Sequence, residues 1–95
     1  MAYSTISNWN ISGEWNDEME AMARDKFVPM IMSSGANRVQ MVRTGDLSLS
    51  VVTEYADAAT AEKAQAKIAE IRSQAASDLP MTMASASAGA VFANG

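Results

Sequence analysis

The amino-acid sequence predicts an α+β fold in which a four-stranded antiparallel sheet carries two helices on one face. Three observations support this prediction. Residues 38–55 alternate as two strands around a turn at residues 44–47, the pattern of a hairpin. An amphipathic helical segment precedes this hairpin and another follows it. Each half adds one more strand, so the order is strand, helix, strand, strand, helix, strand, and residues 1–95 are expected to form a single domain.

The first strand is expected between Ala2 and Ser12, which carry no charge between them and are rich in β-branched and aromatic residues. Its alternation is imperfect, so either face could meet the helices. We expect Ser12 to be the N-cap of the first helix, whose early turns are acidic as the helix dipole favours. Pro29 removes a backbone donor and should kink or interrupt this helix near its last turns. Gly35 supplies the left-handed residue of its C-cap.

The hairpin consists of two predicted strands, at residues 38–44 and 47–55, with the turn at Thr44-Gly45-Asp46-Leu47. In the second strand, every other residue from Leu47 to Tyr55 is hydrophobic or threonine, and this face should meet the helices. The intervening residues, which include Glu54, should then face the other way.

The second helix is expected to begin after an Asp57 N-cap and to extend to about Ser77. Charged residues such as Arg72 lie off its apolar stripe. The stripe itself is rich in alanine and consists of Ala61, Ala64, Ile68, Ile71, Ala75 and Leu79. Pro80 prevents the helix from continuing, and the last strand is expected at residues 81–92. We expect its alanine face, which begins at Ala84, to pack against the alanine-rich helix.

This order of elements is the ferredoxin-like βαββαβ arrangement, with the first and third strands in the middle of the sheet. A solvated sheet face normally carries charged residues in alternation. Residues 1–13, 47–53 and 79–95 contain none. The open face is therefore expected to meet another surface, and a second copy of the chain is the simplest partner. The sequence predicts a homodimer through the open sheet face.

Composition excludes several classes of function. With no cysteine and no histidine, one chain cannot form a thiol nucleophile, a zinc–thiolate site or a Ser-His-Asp triad. A net charge of −4 with seven scattered basic residues argues against nucleic-acid binding. No metal site and no cofactor are expected. Residues 1–10 have neither a basic region nor an apolar core, so we expect no signal peptide, no membrane association and a cytoplasmic location.

Glu54 is the candidate catalytic residue. On the face opposite Tyr55 it would enter a semi-apolar cavity, where a carboxylate could act as a general base or acid. Alternatively, it reaches solvent or pairs with Arg38 or Arg43 across the hairpin. Small residues on the last strand would leave room for a ligand, or would equally permit close packing of sheets. The expected cavity-lining residues on this face are Asn8, Asn10, Gln40, Ser50, Val52, Met83, Ser85 and Ser87.

Several segments together resemble a known superfamily. These are Ser34-Gly35-Ala36 at the end of the first helix, RVQMVR at residues 38–43, SVVTEY at residues 50–55 and Asp57-Ala58-Ala59. The chain is similar in these segments to the dimeric α/β-barrel superfamily, and the resemblance covers nearly its whole length. It implies two sheets packed face to face around a barrel.

The superfamily that the chain resembles includes antibiotic-biosynthesis monooxygenases without cofactors, haem-degrading monooxygenases and muconolactone isomerase-like enzymes. A haem-degrading relative would supply a histidine ligand, which this chain lacks. A quinol-type monooxygenase would use a cluster of polar and aromatic side chains. Asn8, Trp9, Asn10 and Tyr55 are of the right types, although a strand end and a hydrophobic core would explain them equally well.

Three functional classes follow from these observations. The main hypothesis is a dimeric barrel that binds a small apolar or aromatic molecule in the barrel cavity without catalysis. The first alternative is a cofactor-independent monooxygenase or isomerase that acts through Glu54 and the asparagines. The second alternative is a non-catalytic structural or assembly protein.

Overall fold

The computed structural model describes all 95 residues. Its elements are β1 (Tyr3–Ile11), α1 (Asp17–Met22), a π-helical segment (Ala23–Phe27), α2 (Val28–Met32), β2 (Arg38–Gly45), β3 (Ser48–Tyr55), α3 (Ala58–Asp78) and β4 (Met81–Ala90). The strands form one antiparallel sheet in the order β2-β3-β1-β4, so β1 and β3 are central. The predicted ferredoxin-like arrangement is confirmed.

The two central strands bury one face each against the helices. On β1 the buried residues are Ser7, Trp9 and Ile11, whereas Asn8 and Asn10 between them are exposed. On β3 the buried residues are Leu49, Val51, Thr53 and Tyr55, as the alternation predicted. The helix side of β1 is therefore the face that begins at Tyr3. Phe27 and Tyr55 are the largest side chains that are fully buried in the resulting core.

The first helix begins later than predicted. Its N-cap is Asn16 and not Ser12, because the Asn16 Oδ1 accepts hydrogen bonds from the backbone N–H groups of Glu18 at 3.0 Å and Met19 at 3.2 Å. The Ser12 N–H instead donates to the Pro80 carbonyl at 2.7 Å, which keeps this residue beside the sheet. Serine and asparagine are both favoured caps, so the residue type alone could not decide between them.

The predicted interruption of the first helix is present, one turn before Pro29. Residues Ala23–Phe27 form a π-helical turn, and the Val28 N–H donates to the carbonyl of Ala23, five residues earlier. In a regular α-helix the proline ring would press on the carbonyl four residues before it, so the wider turn makes room for Pro29. The helix then ends as predicted near Gly35, whose φ of 105° lies in the left-handed region.

The second helix agrees with prediction at both its cap and its stripe. An Asp57 Oδ1 accepts from the Thr60 N–H at 2.8 Å and from the Thr60 hydroxyl at 2.7 Å. Ala61, Ala64, Ile71 and Ala75 of α3 are buried. This helix is not long and apolar enough to cross a membrane, and neither is any other helix of the chain.

The prediction that the alanine face of β4 packs on α3 is wrong. Only Met81 of this strand is buried, and residues 82–90 are all exposed. The reason is position: β4 is an edge strand next to β1, and the helices cover the central strands and only the beginning of β4. The exposed alanines are Ala84, Ala86, Ala88 and Ala90.

Candidate functional site

The main cavity lies between the sheet and the helices, on the opposite side of the sheet from the predicted one. Its volume is about 360 Å³. The central strands β1 and β3 form its floor, and the first helix and α3 form its walls. The floor consists of Thr5, Ser7, Trp9, Leu49, Val51 and Thr53, and the walls include Ala23, Phe27, Ile31, Ile68, Ile71 and Ala75.

Small side chains on facing elements leave this space open. The residues that line the cavity with short side chains include Ala23 of the π-helical segment, Ala75 of α3, and Thr5 and Ser7 of β1. Protein interiors are otherwise packed as densely as organic crystals, so a void of this size needs a run of small residues around it. The π-helical turn also borders the cavity through Ala23 and Phe27, and such turns are frequent at functional sites.

Hydroxyl groups supply the polar part of the cavity floor. The Trp9 Nε1–H donates to the Ser7 Oγ at 2.8 Å, and both residues are buried. Because the Ser7 hydroxyl is an acceptor in this bond, its own O–H remains able to donate. Thr5 and Thr53 contribute two further hydroxyls to the same floor. A ligand seated here would meet a few hydrogen-bonding groups in an apolar surround.

The mouth of the cavity is fixed by Arg43. Its Nε donates to the Gly45 carbonyl at 2.8 Å, and its Nη2 donates to the Asp46 carbonyl at 2.6 Å. The remaining nitrogen lies 3.8 Å from the Glu20 carboxylate, and the guanidinium stands 6.0 Å from the centre of the Trp15 ring. These contacts tie the hairpin turn to the first helix and commit this guanidinium to the protein itself.

Two other arginines border the cavity. The Nε of Arg24 lies 3.1 Å from the carboxylate of the neighbouring Asp25, and this hydrogen bond raises the pKa of Arg24. Arg72 on α3 is half-buried, and burial lowers the pKa of its guanidinium, an effect that nearby Tyr55 partly opposes. The three ion pairs of the chain are formed by Arg24, Lys26 and Arg43, so none of them includes Arg72.

Most of the predicted site residues lie together on the open face, outside the main cavity. The Ser50 hydroxyl donates to the Asn8 Oδ1 at 2.6 Å, and the Asn8 Nδ2 donates to the Ser85 Oγ at 3.1 Å. Two more of the predicted residues lie on the same face: Asn10 is opposite Ser48 of β3, and Ser87 is opposite Ile6 of β1. We call Asn8, Ser50 and Ser85 the open-face cluster.

The candidate Glu54 borders a shallow depression of about 70 Å³ on this open face, together with Ser4, Arg38, Gln40 and Val52. Glu54 is half-buried and stands directly opposite Arg38 in the β2–β3 ladder. The alternative in which it pairs with Arg38 or Arg43 is not realised, since none of the three ion pairs of the chain includes Glu54. The depression is too small for most organic ligands.

Met83 does not align with the other predicted residues of β4. The β1–β4 register shifts between Asn8 and Trp9, so that Asn8 pairs with Ser85 but Trp9 pairs with Met83. The extra residue, Ala84, breaks the alternation on which the prediction depended. Met83 is 45% exposed and stands opposite a strand residue that faces the helices.

Ser7 and Arg72 were not predicted from the sequence as site residues. Arg72 lies next to Ile71 and one turn after Ile68 on α3, so it stands at the border of the apolar stripe. That position was the available signal, because a long side chain at the border of a stripe can fold over the apolar surface.

The carboxylates of the chain form no group of three or more that could hold a metal ion.

Comparisons with known proteins find similarity in structure and none in sequence. No protein-family model matches the sequence, and no curated protein is significantly similar to it. Among solved structures, SnoaB from Streptomyces nogalater, described as a cofactor-independent oxygenase, is similar with a TM-score of 0.73 and 12% identity, over 98% of this chain and 95% of that one.

Two further structures cover both chains almost completely. A dimeric ferredoxin-like protein from an uncultured marine organism has a TM-score of 0.67 at 14% identity, over 99% of this chain and 97% of that one. A proposed antibiotic biosynthesis monooxygenase from Chloroflexus aurantiacus has a TM-score of 0.59 at 7% identity, over 100% and 98%. The resemblance predicted from the sequence is thus confirmed at the level of the fold: this chain has the ferredoxin-like fold of these solved structures.

Proposed function

We propose that this protein binds a small, largely apolar aromatic molecule in the cavity between its sheet and its helices. The observation that carries the proposal is the cavity of about 360 Å³ itself, whose lining includes Trp9, Trp15 and Phe27. Small-molecule sites in proteins have volumes of roughly 300–1,000 Å³ and combine apolar walls with a few polar groups. The proposed site therefore differs from the barrel interior expected from the sequence.

Ligand titration with cavity-filling variants tests this proposal. Both tryptophans of the chain border the cavity, so their fluorescence should change when naphthalene or a derivative binds. Ala75 is buried at the cavity wall, whereas Ala76 beside it is exposed. Ala75→Phe should fill the space and weaken binding by about tenfold or more, which is about 1.4 kcal/mol. Ala76→Phe is the matched control and should bind as the parent does.

Absence of fluorescence change and of calorimetric heat with every fused-ring aromatic would contradict the proposal. Equal affinity in the Ala75→Phe variant and the parent would contradict the location. If no compound binds, the non-catalytic structural role becomes the better hypothesis.

A cofactor-independent oxygenase is the second candidate, favoured by the likeness to SnoaB. In such a reaction a phenolic substrate provides the electrons, one oxygen atom enters it and the other leaves as water. Substrate-dependent oxygen uptake would detect this activity. Loss of uptake in Ala75→Phe with retention in Glu54→Gln would place the chemistry in the main cavity, and the opposite pattern would place it on the open face.

We further propose that the protein is a homodimer joined through the open sheet face. Ile6 on the central strand β1 and Val42 on the edge strand β2 are 39% and 46% exposed on this face, and exposed apolar residues on a sheet face are typical of an interaction surface. The open-face cluster lies beside them, and its three side chains hydrogen-bond to one another. A second copy that covers this face would therefore need to accept only the Ser85 O–H and the second N–H of the Asn8 amide. One of the similar structures is described as a dimer.

A further inference from the structure

Of the three arginines that border the main cavity, only Arg72 has no partner within the chain. Arg43 is committed to two carbonyls of the hairpin turn and to Glu20. Arg24 is hydrogen-bonded by two nitrogens to Asp25. The hydrogen bonds donated by basic side chains come from Arg24, Lys26, Arg43 and Lys67.

The surroundings of Arg72 are largely apolar. It lines the cavity beside Ile68, Ile71 and Ala75, and it is half-buried. The carboxylate at the cavity, Glu20, is engaged with Arg43. Because this guanidinium is partly removed from water and has no counter-ion, its N–H donors and its charge remain available to bind an anion.

We infer that the ligand of this cavity is an aromatic carboxylate, with its ring among Trp9, Phe27 and Ile71 and its charged group on Arg72. This inference rests on the proposed function and specifies its ligand class. A guanidinium can donate two parallel N–H···O bonds to a carboxylate, and such pairs are about twice as strong as bonds between neutral groups. The Ser7 hydroxyl on the floor adds one neutral donor.

The same arrangement selects against other ligands. An amine would place a second positive charge beside Arg72 in a partly dehydrated space, where charges are screened less than in water. A neutral amide of the same shape could accept a hydrogen bond but would leave the guanidinium without a counter-ion. The cavity should therefore rank carboxylate above amide and amide above amine.

Paired titrations with naphthoate and naphthamide, which have nearly the same shape, test this inference. In the parent protein naphthoate should bind about ten- to a hundredfold more tightly, as measured by tryptophan fluorescence and calorimetry. Arg72→Gln should abolish this preference, because it removes the charge that favours naphthoate, whereas the glutamine amide can still donate one hydrogen bond to naphthamide. Arg72→Lys, which keeps the charge, should retain part of the preference. Arg38→Gln, on the opposite face of the sheet, is the control and should change neither affinity.

The outcomes separate this inference from the proposed function. If naphthamide and naphthalene bind but naphthoate has no advantage, the carboxylate assignment is wrong and the aromatic site remains. If naphthoate keeps its advantage in Arg72→Gln, another residue holds the anion and the assignment to Arg72 is wrong. If no aromatic compound binds to the parent protein, the proposed function itself fails. Thermal unfolding of each variant establishes that the altered binding is measured on folded protein.

Discussion

The hydroxyl of Ser7 holds the indole of Trp9 inside the layer between sheet and helices, at 2.8 Å from its Nε1. Neither group reaches bulk water, since Ser7 is 4% exposed and Trp9 is 3% exposed. A buried indole N–H without an acceptor is destabilising, because the free energy lost on removing it from water is not offset by a hydrogen bond in the protein. This bond therefore orients a large ring at the cavity floor and also stabilises the fold.

Replacing Ser7 with alanine should lower the free energy of unfolding by about 1–3 kcal/mol, because the buried indole N–H loses its acceptor. Urea denaturation at one fixed protein concentration measures this change. Ser73→Ala is the matched control, since Ser73 is exposed on α3, away from the open face, and its replacement should change the stability little. Equal stability of the two variants would show that the indole finds another acceptor.

Single residues were the part of the site least accessible from the sequence. The alternation of β1 placed Ser7 and Trp9 on one face, but it did not indicate that this face meets the helices. Arg72 lies off the apolar stripe of its helix, and only the packing of the neighbouring elements shows that it is half-buried. Glu54 is a lone carboxylate on a strand face that is otherwise uncharged, which made it a candidate, whereas the residues around the cavity between the sheet and the helices are common core types.

Among the elements, α3 depends on its cap. Asp57 accepts two hydrogen bonds from Thr60, one from the backbone N–H and one from the hydroxyl. The hydroxyl bond and the backbone bond hold the pKa of Asp57 below its ordinary value of 3.8. A carboxyl whose pKa is lower in the folded state contributes stability that is fully present above the unfolded value. That contribution is lost as the pH falls through the lowered pKa.

Variants at Asp57 should separate the hydrogen bonds from the charge. Asp57→Asn keeps an acceptor oxygen but does not titrate, so its melting temperature should fall less than that of the parent when the pH is lowered below about 4. Asp57→Ala loses the acceptor and should melt at a lower temperature throughout the pH range. Thermal unfolding between neutral and strongly acidic pH measures both effects. Parallel pH profiles for the parent and Asp57→Asn would contradict the assigned role.

Elements were predicted well where a local rule determines them. The Asp57 cap, the left-handed Gly35 and the apolar stripe of α3 each follow from residue types within a few positions. The π-helical turn and the irregularity of β4 at Ala84 were not predicted, because each is one extra residue that the surrounding structure accommodates. The hydrophobic period of a sequence shows that residues alternate between two faces, but it does not show at which position an extra residue interrupts the alternation.

At the scale of the whole molecule, one face of the sheet has no layer of helices over it. In the proposed homodimer, Ile6 lies near the middle of that face, opposite Val52 on one side and Ser87 on the other. The parent protein should therefore have twice the mass of the 10.1 kDa chain. Native mass spectrometry and light scattering measure this mass.

Ile6→Lys should dissociate the dimer, because it places a charge where an apolar contact is expected. Met32→Lys is the matched control, since Met32 is an equally exposed apolar residue on the helical side, and this variant should remain dimeric. Two results would overturn the assignment: a single-chain mass for the parent at all concentrations, or a dimer that survives Ile6→Lys and dissociates in Met32→Lys.

The overall architecture followed from the sequence, whereas the position of the cavity did not. Strand and helix periods, together with the handedness of crossovers, were sufficient for the order and layers of the fold. The volume of the cavity depends on how closely α3 and the first helix approach the sheet. That distance results from many side chains of similar size, and no local pattern of Ala23, Ala75, Thr5 and Ser7 reveals that they line one cavity.

The exposed edge strand β4 affects the tendency of the chain to aggregate. Its ten residues, Met81–Ala90, contain no charge and no proline, and most present small side chains. Sheet proteins ordinarily guard such an edge with lysine, proline or a covering segment, because free N–H and C=O groups are a template for amyloid-like growth. A dimer joined through the open face would leave these edge groups unpaired, because face-to-face packing does not pair strand edges. The irregularity at Ala84 is the one feature of β4 that interrupts a regular ladder. The β4 edge is therefore the place where we expect a strand from another chain to add, whether or not the protein is a dimer.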